Sequence, residues 1–340
     1  MSGTSLDGVD CVIVDKKIKL QNTHYLPYPQ QLKEKLQVII KKQIIEFDIF
    51  TNLNIELANF YAQVINECLI KANLSKSDII AIGSHGQTIY HDSGHYSLQI
   101  GHPAIIAKKT GINVVADFRM SDIAIGGEGA PLTPIFHKFI VNNKNANIIN
   151  LGGITNITKI TANKVIGFDT GPANTLLDNW IRKHKNLDYD RDGLWARSGF
   201  IDKTLLNKLL SDDYFKKSLP KSTGIEYFNL NWLEKYLIGN EKLEDVQRTL
   251  LELTVQTITD NIDNSLPIYL CGGGVHNNFL VERIEYLCPN NEVSTTDDLG
   301  INPDYLEAMA FAYFARETIN NQTITTTNNQ QQILGGLWKH

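Results

Sequence analysis

IINLGGITNITKI, residues 148–160, is the stretch that decides the fold. Ile148 to Leu151 reads as a buried strand, Gly152-Gly153 as a tight turn, and Ile154 to Ile160, rich in β-branched residues, as a second strand. A third strand is expected at Lys164 to Phe168. A helix is expected from Asn174 to His184, with Leu177, Trp180 and Ile181 inward. The same order of strand, glycine turn holding Thr or Asn, and second strand occurs at Met1 to Val14. Two such starts, one in each half, are what a duplicated nucleotide-binding α/β fold produces. No period of about 20–50 residues is visible, which excludes a solenoid or propeller.

Outward from these starts, short apolar runs alternate with amphipathic stretches. Cys11 to Val14 reads as a strand and Asp15-Lys16-Lys17 as the turn after it. Ile55 to Leu74 places Ile55, Phe60, Val64, Ile65, Cys68 and Leu69 on one helical face. Ile79 to Ile82 reads as a buried strand ending at Gly83, and Val114 to Ala116 as another ending before Asp117. The asparagine-rich stretch Asn142 to Asn147 marks a boundary, giving expected domains at 1–143 and 144–332, with the tail 333–340 packing back on the first. Leu243 to Ile262 predicts a long helix, Ile268 to Cys271 a strand, and Glu307 to Glu317 a last helix. Asn320 to Gln332 reads as a surface linker or loop outside the core.

The 340 residues are too many for one small core and suggest two domains. A net charge of −5 argues against nucleic-acid and anionic-membrane partners, so a phosphate would be held locally by amides and a metal. Cys11, Cys68, Cys271 and Cys288 form no CxxC and read as reduced thiols. No apolar run reaches the ~18 residues of a membrane helix, and no secretory signal is visible, so a cytoplasmic location is expected.

Four glycine-rich turns could hold chemistry. MSGTSLDGVD (1–10) combines turn glycines, the hydroxyls of Thr4 and Ser5, and the carboxylates of Asp7 and Asp10. That mixture suits a magnesium-bound phosphate and equally an ordinary polar hairpin. NLGGITNIT (150–158) repeats its logic with Gly152, Gly153, Thr155 and Asn156. GFDTGPANTLLD (167–178) puts Asp169 at a strand end before a helix, placed for general-base work or for helix capping. CGGGVHNNFL (271–280) leaves Gly272, Gly273 and Gly274 free of side chains, so that a flat ring could lie on the backbone.

Other motifs fail. Lys221-Ser222-Thr223-Gly224 follows Pro220 and is no P-loop, and GxGxxG is absent. Asp188, Asp190, Asp192 and Gly193 open like an EF-hand, but Gly199 stands where a bidentate Glu is needed. The spacing of His85, His91, His95 and His102 fits no zinc site.

The order of two phosphate-type hairpins, a strand-end aspartate and a glycine turn resembles the superfamily of actin, hexokinase and the actin-like chaperones. SHGQTIYH (84–91), ADFRMSDIAIGGEGAPLTP (116–134), YDRDGLWARSG (189–199), PKSTGIEYFN (220–229) and EAMAFAYFA (307–315), with the four turns, resemble the anhydro-N-acetylmuramic acid kinases almost end to end. The resemblance implies two RNase H-like, actin-like domains with ATP in an interdomain cleft, Mg2+ as cofactor, and a homodimer. It implies hydrolytic opening of 1,6-anhydro-N-acetylmuramic acid with phosphorylation of O6, giving N-acetylmuramic acid 6-phosphate and ADP in cell-wall recycling.

On that implication Asp169 is the base. Gly3, Thr4, Ser5, Leu6, Asp7, Gly8, Val9 and Asp10 wrap the ATP phosphates, with Asp7 the magnesium partner. Gly152, Gly153 and Asn156 approach the β-phosphate, and Gly272, Gly273 and Gly274 bed the adenosine. His85, Gln87, Thr88, Asp117, Arg119 and Glu307 hold the sugar, with Arg119 on its lactyl carboxylate through a bidentate fork. Two departures accompany the likeness. Met1 stands where many superfamily members carry an Asp, and the short apolar strand usual ahead of MSGTS is not seen before it: either that strand is trimmed or the true start lies upstream, and a missing edge there would weaken ATP binding. An ordinary sugar kinase acting on a free hydroxyl, and a nucleotide-switched binding module like the actin-like chaperones, are the alternatives.

Overall fold

The computed structural model describes residues 1–3, 6–41, 45–162, 164–326, 328 and 330–340. These fall into two compact units, Met1–Phe136 with Tyr305–His340, and His137–Asp304. The boundary therefore precedes the asparagine-rich stretch. A second crossing at Asp304 and Tyr305 moves residues 305–332 out of the second domain expected from sequence and into the first unit.

In chain order, β1 (Gly8–Val14) and β2 (Leu20–Pro27) form an antiparallel hairpin, with α1 (Gln30–Lys41) and α2 (Phe47–Lys71) following. The phase of α2 is set by Leu53, Leu57, Phe60, Val64 and Cys68, all buried. Two residues on from Leu53, Ile55 is rotated about 200° and points to solvent instead of inward. β3 (Ile82–Gly83) is only the end of the strand expected at Ile79 to Ile82, and Ile80 is 58% exposed. Beyond it come the hairpin β4 (Gln87–Asp92) and β5 (Tyr96–Ile100), α3 (Pro103–Thr110), β6 (Val114–Ala116) and α4 (Phe118–Ile123). α5 (Thr133–Ile140) carries the chain onward.

The second unit begins with the meander β7 (Ala146–Leu151), β8 (Ile154–Thr161) and β9 (Lys164–Pro172), as the quoted stretch requires. α6 (Asn174–Lys185), α7 (Leu194–Ser198), α8 (Lys203–Leu210), α9 (Leu230–Glu234) and α10 (Leu243–Thr259) follow. β10 (Ile268–Cys271), α11 (Asn278–Leu287) and β11 (Val293–Thr295) complete the unit. The sheet order is β11-β10-β7-β8-β9, with β11, β10 and β7 parallel and the other pairings antiparallel. Burial on both faces explains the unbroken apolar runs of Ile148-Ile149 and Ile268 to Cys271.

The chain then returns to the first unit through α12 (Leu306–Ile319), a short hairpin of β12 (Ile324–Thr325) and β13 (Gln331–Gln332), and β14 (Gly336–Trp338). Ile324 and Thr326 are buried, so the polar stretch expected to stay clear of the core contributes to it. β14 lies antiparallel on β6, pairing Gly336 with Ala116 and Trp338 with Val114. α12 presses on β3 closely: a Cβ added at Gly83 would sit 2.1 Å from the Phe311 carbonyl oxygen, so only glycine fits there.

The strands of the first unit are divided between β1-β2 and β14-β6-β3, with the hairpins β4-β5 and β12-β13 separate. A slot of about 530 Å³ lies between β1 and β3, lined by Cys11, Ile13, Cys68, Ile80, Ile82 and Ala312 among others. Met1 and Asp10, both in its lining, exchange two main-chain bonds, the Met1 amine donating to the Asp10 carbonyl at 2.6 Å and the Asp10 amide to the Met1 carbonyl at 2.8 Å.

Candidate active-site residues

In the second unit, one rank of residues crosses the sheet. Cys271 of β10 pairs with Asn150 of β7, Asn150 with Asn156 of β8, and Asn156 with Asp169 of β9. The rank lies at the carboxyl ends of the parallel strands β7 and β10, the edge where open α/β sheets receive ligands. A register shift between Thr155 and Asn156 re-aims the side chains there.

Asp169 is no helix cap. It lies within β9, while α6 starts at Asn174 behind Ala173, which makes no side-chain capping bond. The Thr223 amide donates to Asp169 Oδ2 at 2.9 Å, the Tyr214 hydroxyl donates to the Asp169 carbonyl at 2.8 Å, and the Asp169 amide donates to the Lys221 carbonyl at 2.9 Å. Burial pushes the Asp169 carboxyl up to about 6, and the Thr223 amide opposes that rise. The outcome is a carboxylate that is largely ionised at neutral pH yet basic enough to take a proton.

Gly152 and Gly153 accept at their carbonyls from the amides of Ala173, Asn174 and Thr175, which locks their turn to the start of α6. The three glycines after β10 differ among themselves. A Cβ at Gly272, where φ is +81°, would meet Asn150 Oδ1 at 2.2 Å, and one at Gly274 would meet Leu151 Cβ at 2.5 Å. A Cβ at Gly273 would meet nothing within 4 Å. Gly272 and Gly274 are thus fixed by packing, and Gly273 alone of the three faces open space. Asn150 and Thr223 were not singled out from sequence. Their only signal was membership of NLGG and PKSTG, because a rank across a sheet and an amide aimed at a carboxylate arise from pairing, not spacing.

In the first unit, Thr4 and Ser5 lie outside the described residues. Leu6 and Val9, expected at the ATP phosphates, bury their side chains in the core and offer only main chain. Gly8 is required by the hairpin itself, since a Cβ there would lie 2.5 Å from the Leu26 carbonyl oxygen, whereas one on Gly3 would meet nothing within 4 Å. Asp7 is exposed with Lys33 Nζ 3.4 Å away. Asp10 sits in β1.

Two residues expected on the sugar are turned inward. His85 Nε2 receives the Arg119 Nε–H at 2.8 Å and its Nδ1 lies 2.8 Å from the Gly86 carbonyl oxygen, so both ring nitrogens are occupied. Desolvation, with the Arg119 charge beside it, holds this imidazole neutral, well below its ordinary pKa. Gln87 is buried and donates to the Gly3 carbonyl at 3.3 Å, which ties down the first loop. Both residues act through what they hold.

Arg119 also donates Nη1 to the Gly129 carbonyl at 3.0 Å. Asp117 precedes α4 at φ +59°, rare for a non-glycine residue, and makes no capping bond. Desolvation of the carboxylate by the groups around it raises the pKa of Asp117 and that of Glu307, although both residues are partly open to solvent, and at Glu307 the rise is opposed by Arg119 and the Met1 amine. Thr88 Oγ1 accepts from Gln99 Nε2 at 3.1 Å. Among the described residues, no group of three or more His, Cys, Asp or Glu could hold a metal ion.

A family model described as anhydro-N-acetylmuramic acid kinase matches residues 1–339. A protein of Aliivibrio fischeri with that name is 45% identical over 335 residues, covering 94% of this chain and 91% of its own. One of Nitrosomonas europaea, likewise named, is 45% identical over 355 residues, covering 99% of this chain and 98% of its own. Among solved structures, the activator of the 2-hydroxyisocaproyl-CoA dehydratase from Clostridium difficile aligns over 93% of this chain and 92% of its own at 13% identity. Its TM-score of 0.49 is too low to bear on the assignment.

Proposed function

The chain belongs to the anhydro-N-acetylmuramic acid kinase family, and on that premise we propose how its own residues carry out the reaction. The enzyme phosphorylates anhydro-N-acetylmuramic acid with ATP, a step of cell-wall recycling. In our reading Asp169 takes a proton from the water whose oxygen attacks the anomeric carbon. The bond from that carbon to O6 breaks, and O6 forms a new bond to the γ-phosphorus as ADP leaves. The observation that carries this assignment is the environment of Asp169: its Oδ2 is held by the Thr223 amide, and burial raises its pKa to about 6.

Gly273 beds the adenosine, and the Gly152-Gly153 turn, Asn156 and the main chain around Gly3 approach the phosphates. Arg119, set by His85 and the Gly129 carbonyl, takes the lactyl carboxylate, with Asp117, Thr88 and Glu307 as hydroxyl partners. Mg2+ retains most of its ligands as water and phosphate oxygen, so a single carboxylate suffices beside them, and exposed Asp7 fits that limited part. When bound, the ion would neutralise charge on the transferred group. A homodimer in the cytoplasm completes the proposal.

The test compares ADP release with 1,6-anhydro-N-acetylmuramic acid against free N-acetylmuramic acid, each with ATP and Mg2+, in ¹⁸O-labelled water. Turnover of the anhydro sugar alone, with label at the anomeric hydroxyl and none in the phosphate ester, is expected. Equal turnover of both sugars would favour an ordinary kinase, and ring opening without ATP a separate hydrolytic step.

A further inference from the structure

Beyond β9, the chain from Leu219 to Thr223 returns alongside Asp169 and holds it by its main chain. The Asp169 amide donates to the Lys221 carbonyl at 2.9 Å, and the Thr223 amide donates to Asp169 Oδ2 at 2.9 Å. Two residues apart, these bonds clasp one aspartate from amide to carboxylate. The Tyr214 hydroxyl closes on the carbonyl at 2.8 Å, so all three polar parts of Asp169 are held from outside its own strand.

The clasp is itself anchored. Buried Lys221 turns its ammonium away from Asp169, to the carbonyls of Tyr214 at 3.3 Å and Phe215 at 3.2 Å, and lies 4.7 Å over the Tyr214 ring. Asp212 in turn accepts from the Tyr214 amide, the Tyr227 hydroxyl, Trp232 Nε1 and the Tyr236 hydroxyl, all within 2.8–2.9 Å. Four donors on one carboxylate peg the aromatic cluster of Tyr214, Phe228 and Trp232 that carries the clasp.

We propose that the Thr223 main-chain amide is a positioning group for catalysis: it binds Oδ2 of Asp169, fixes the carboxylate plane, and reserves Oδ1 for the proton taken from water. This inference rests on Asp169 being the base. A donor at one oxygen removes the freedom of the carboxylate to rotate about its last bond, and it favours the ionised form over the protonated one. Among the described residues, the titratable side chains on the elements that bond Asp169 include the Tyr214 hydroxyl and the Lys221 ammonium. The first donates to its carbonyl and the second is directed elsewhere, so the amide is the group that acts on the carboxylate itself.

The amide is removed without changing shape by placing the α-hydroxy analogue of threonine at 223, which turns that peptide bond into an ester. Thr223→Ala keeps the amide and Thr223→Pro deletes it more bulkily. The ester should lower kcat about tenfold at pH 7 and move the acid limb of the kcat profile up by roughly one pH unit, with KM for sugar and ATP unchanged. Thr223→Ala, which keeps the amide, should leave the acid limb of the kcat profile where the parent has it. An ester enzyme whose pH profile superimposes on the parent's, while Asp169→Asn is inactive, overturns the positioning role and leaves the base in place. An active Asp169→Asn overturns the base itself. A loss in Thr223→Pro that the ester does not share marks a steric effect and counts against the proposal.

Discussion

At the scale of single residues, Asp169 sets function against stability. Its carboxyl is raised from 3.8 to about 6 by burial, so the folded state binds the proton more tightly than the unfolded chain does. The cost to folding is absent below pH 3.8, grows between there and pH 6, and is complete above. Asp169→Asn never ionises, so at pH 7–8 it should be more stable by roughly 1–3 kcal/mol and at pH 3.5 no more stable than the parent. The same change should lower kcat by ~10²–10⁴-fold or more and leave nucleotide affinity nearly intact. Denaturant titrations at the two pH values, with turnover and nucleotide binding, check all three. Activity within a few-fold of the parent would remove Asp169 from catalysis. Sequence made Asp169 visible as a carboxylate at a strand end, but it could not distinguish base from helix cap. β9 runs on past Asp169 to Pro172 and α6 starts only at Asn174, which removes the cap and leaves the base as the proposal. His85 was legible as polar and close to Arg119 in function, yet only folding could show that both its nitrogens are spent.

At the scale of elements, the turn after β10 separates two glycines fixed by packing from one that faces open space. Gly273→Val adds a side chain where the protein leaves open space, so it should fold as the parent does and lose ATP affinity at least tenfold while sugar affinity changes little. Gly272→Val forces a β-branched residue to φ +81° against Asn150 and should instead destabilise the fold by about 2–4 kcal/mol. Calorimetry of both ligands on each variant, with thermal melting, separates the two. An unchanged ATP affinity in Gly273→Val would sink the adenosine assignment. The meander β7-β8-β9 was readable because buried and β-branched runs meet glycine turns at hairpin spacing. β3 was not, since Ile79 to Ala81 carry a strand's composition while the ladder reaches only Ile82 and Gly83, the two residues that pair with β6. Composition reports what a segment could bury, and pairing depends on which neighbour arrives.

At the scale of the whole molecule, the second boundary escaped the sequence because the short polar turn GINPD at 300–304 is no longer than turns inside a single domain, and contacts with β3 and β6, far away in the chain, decide the allegiance of α12. The return ends in β14, and deleting Gly336–His340 should strip the paired edge from β6 together with the packing of Trp338. A loss of roughly 2–4 kcal/mol confined to the first unit is expected. Hydrogen exchange should then quicken at the amides of β6 and stay slow at those of β7; equal quickening at both would refute it. The two crossings have a further meaning for the newborn chain. His137–Asp304 is one uninterrupted stretch, able to collapse as soon as it clears the ribosome, whereas Met1–Phe136 must wait for Tyr305–His340. At translation speeds of about 5–20 residues per second that wait lasts on the order of ten seconds or more. The half that is made first is therefore the half that is finished last, and chaperones holding nascent polypeptide would meet it with the bed for α12 still bare.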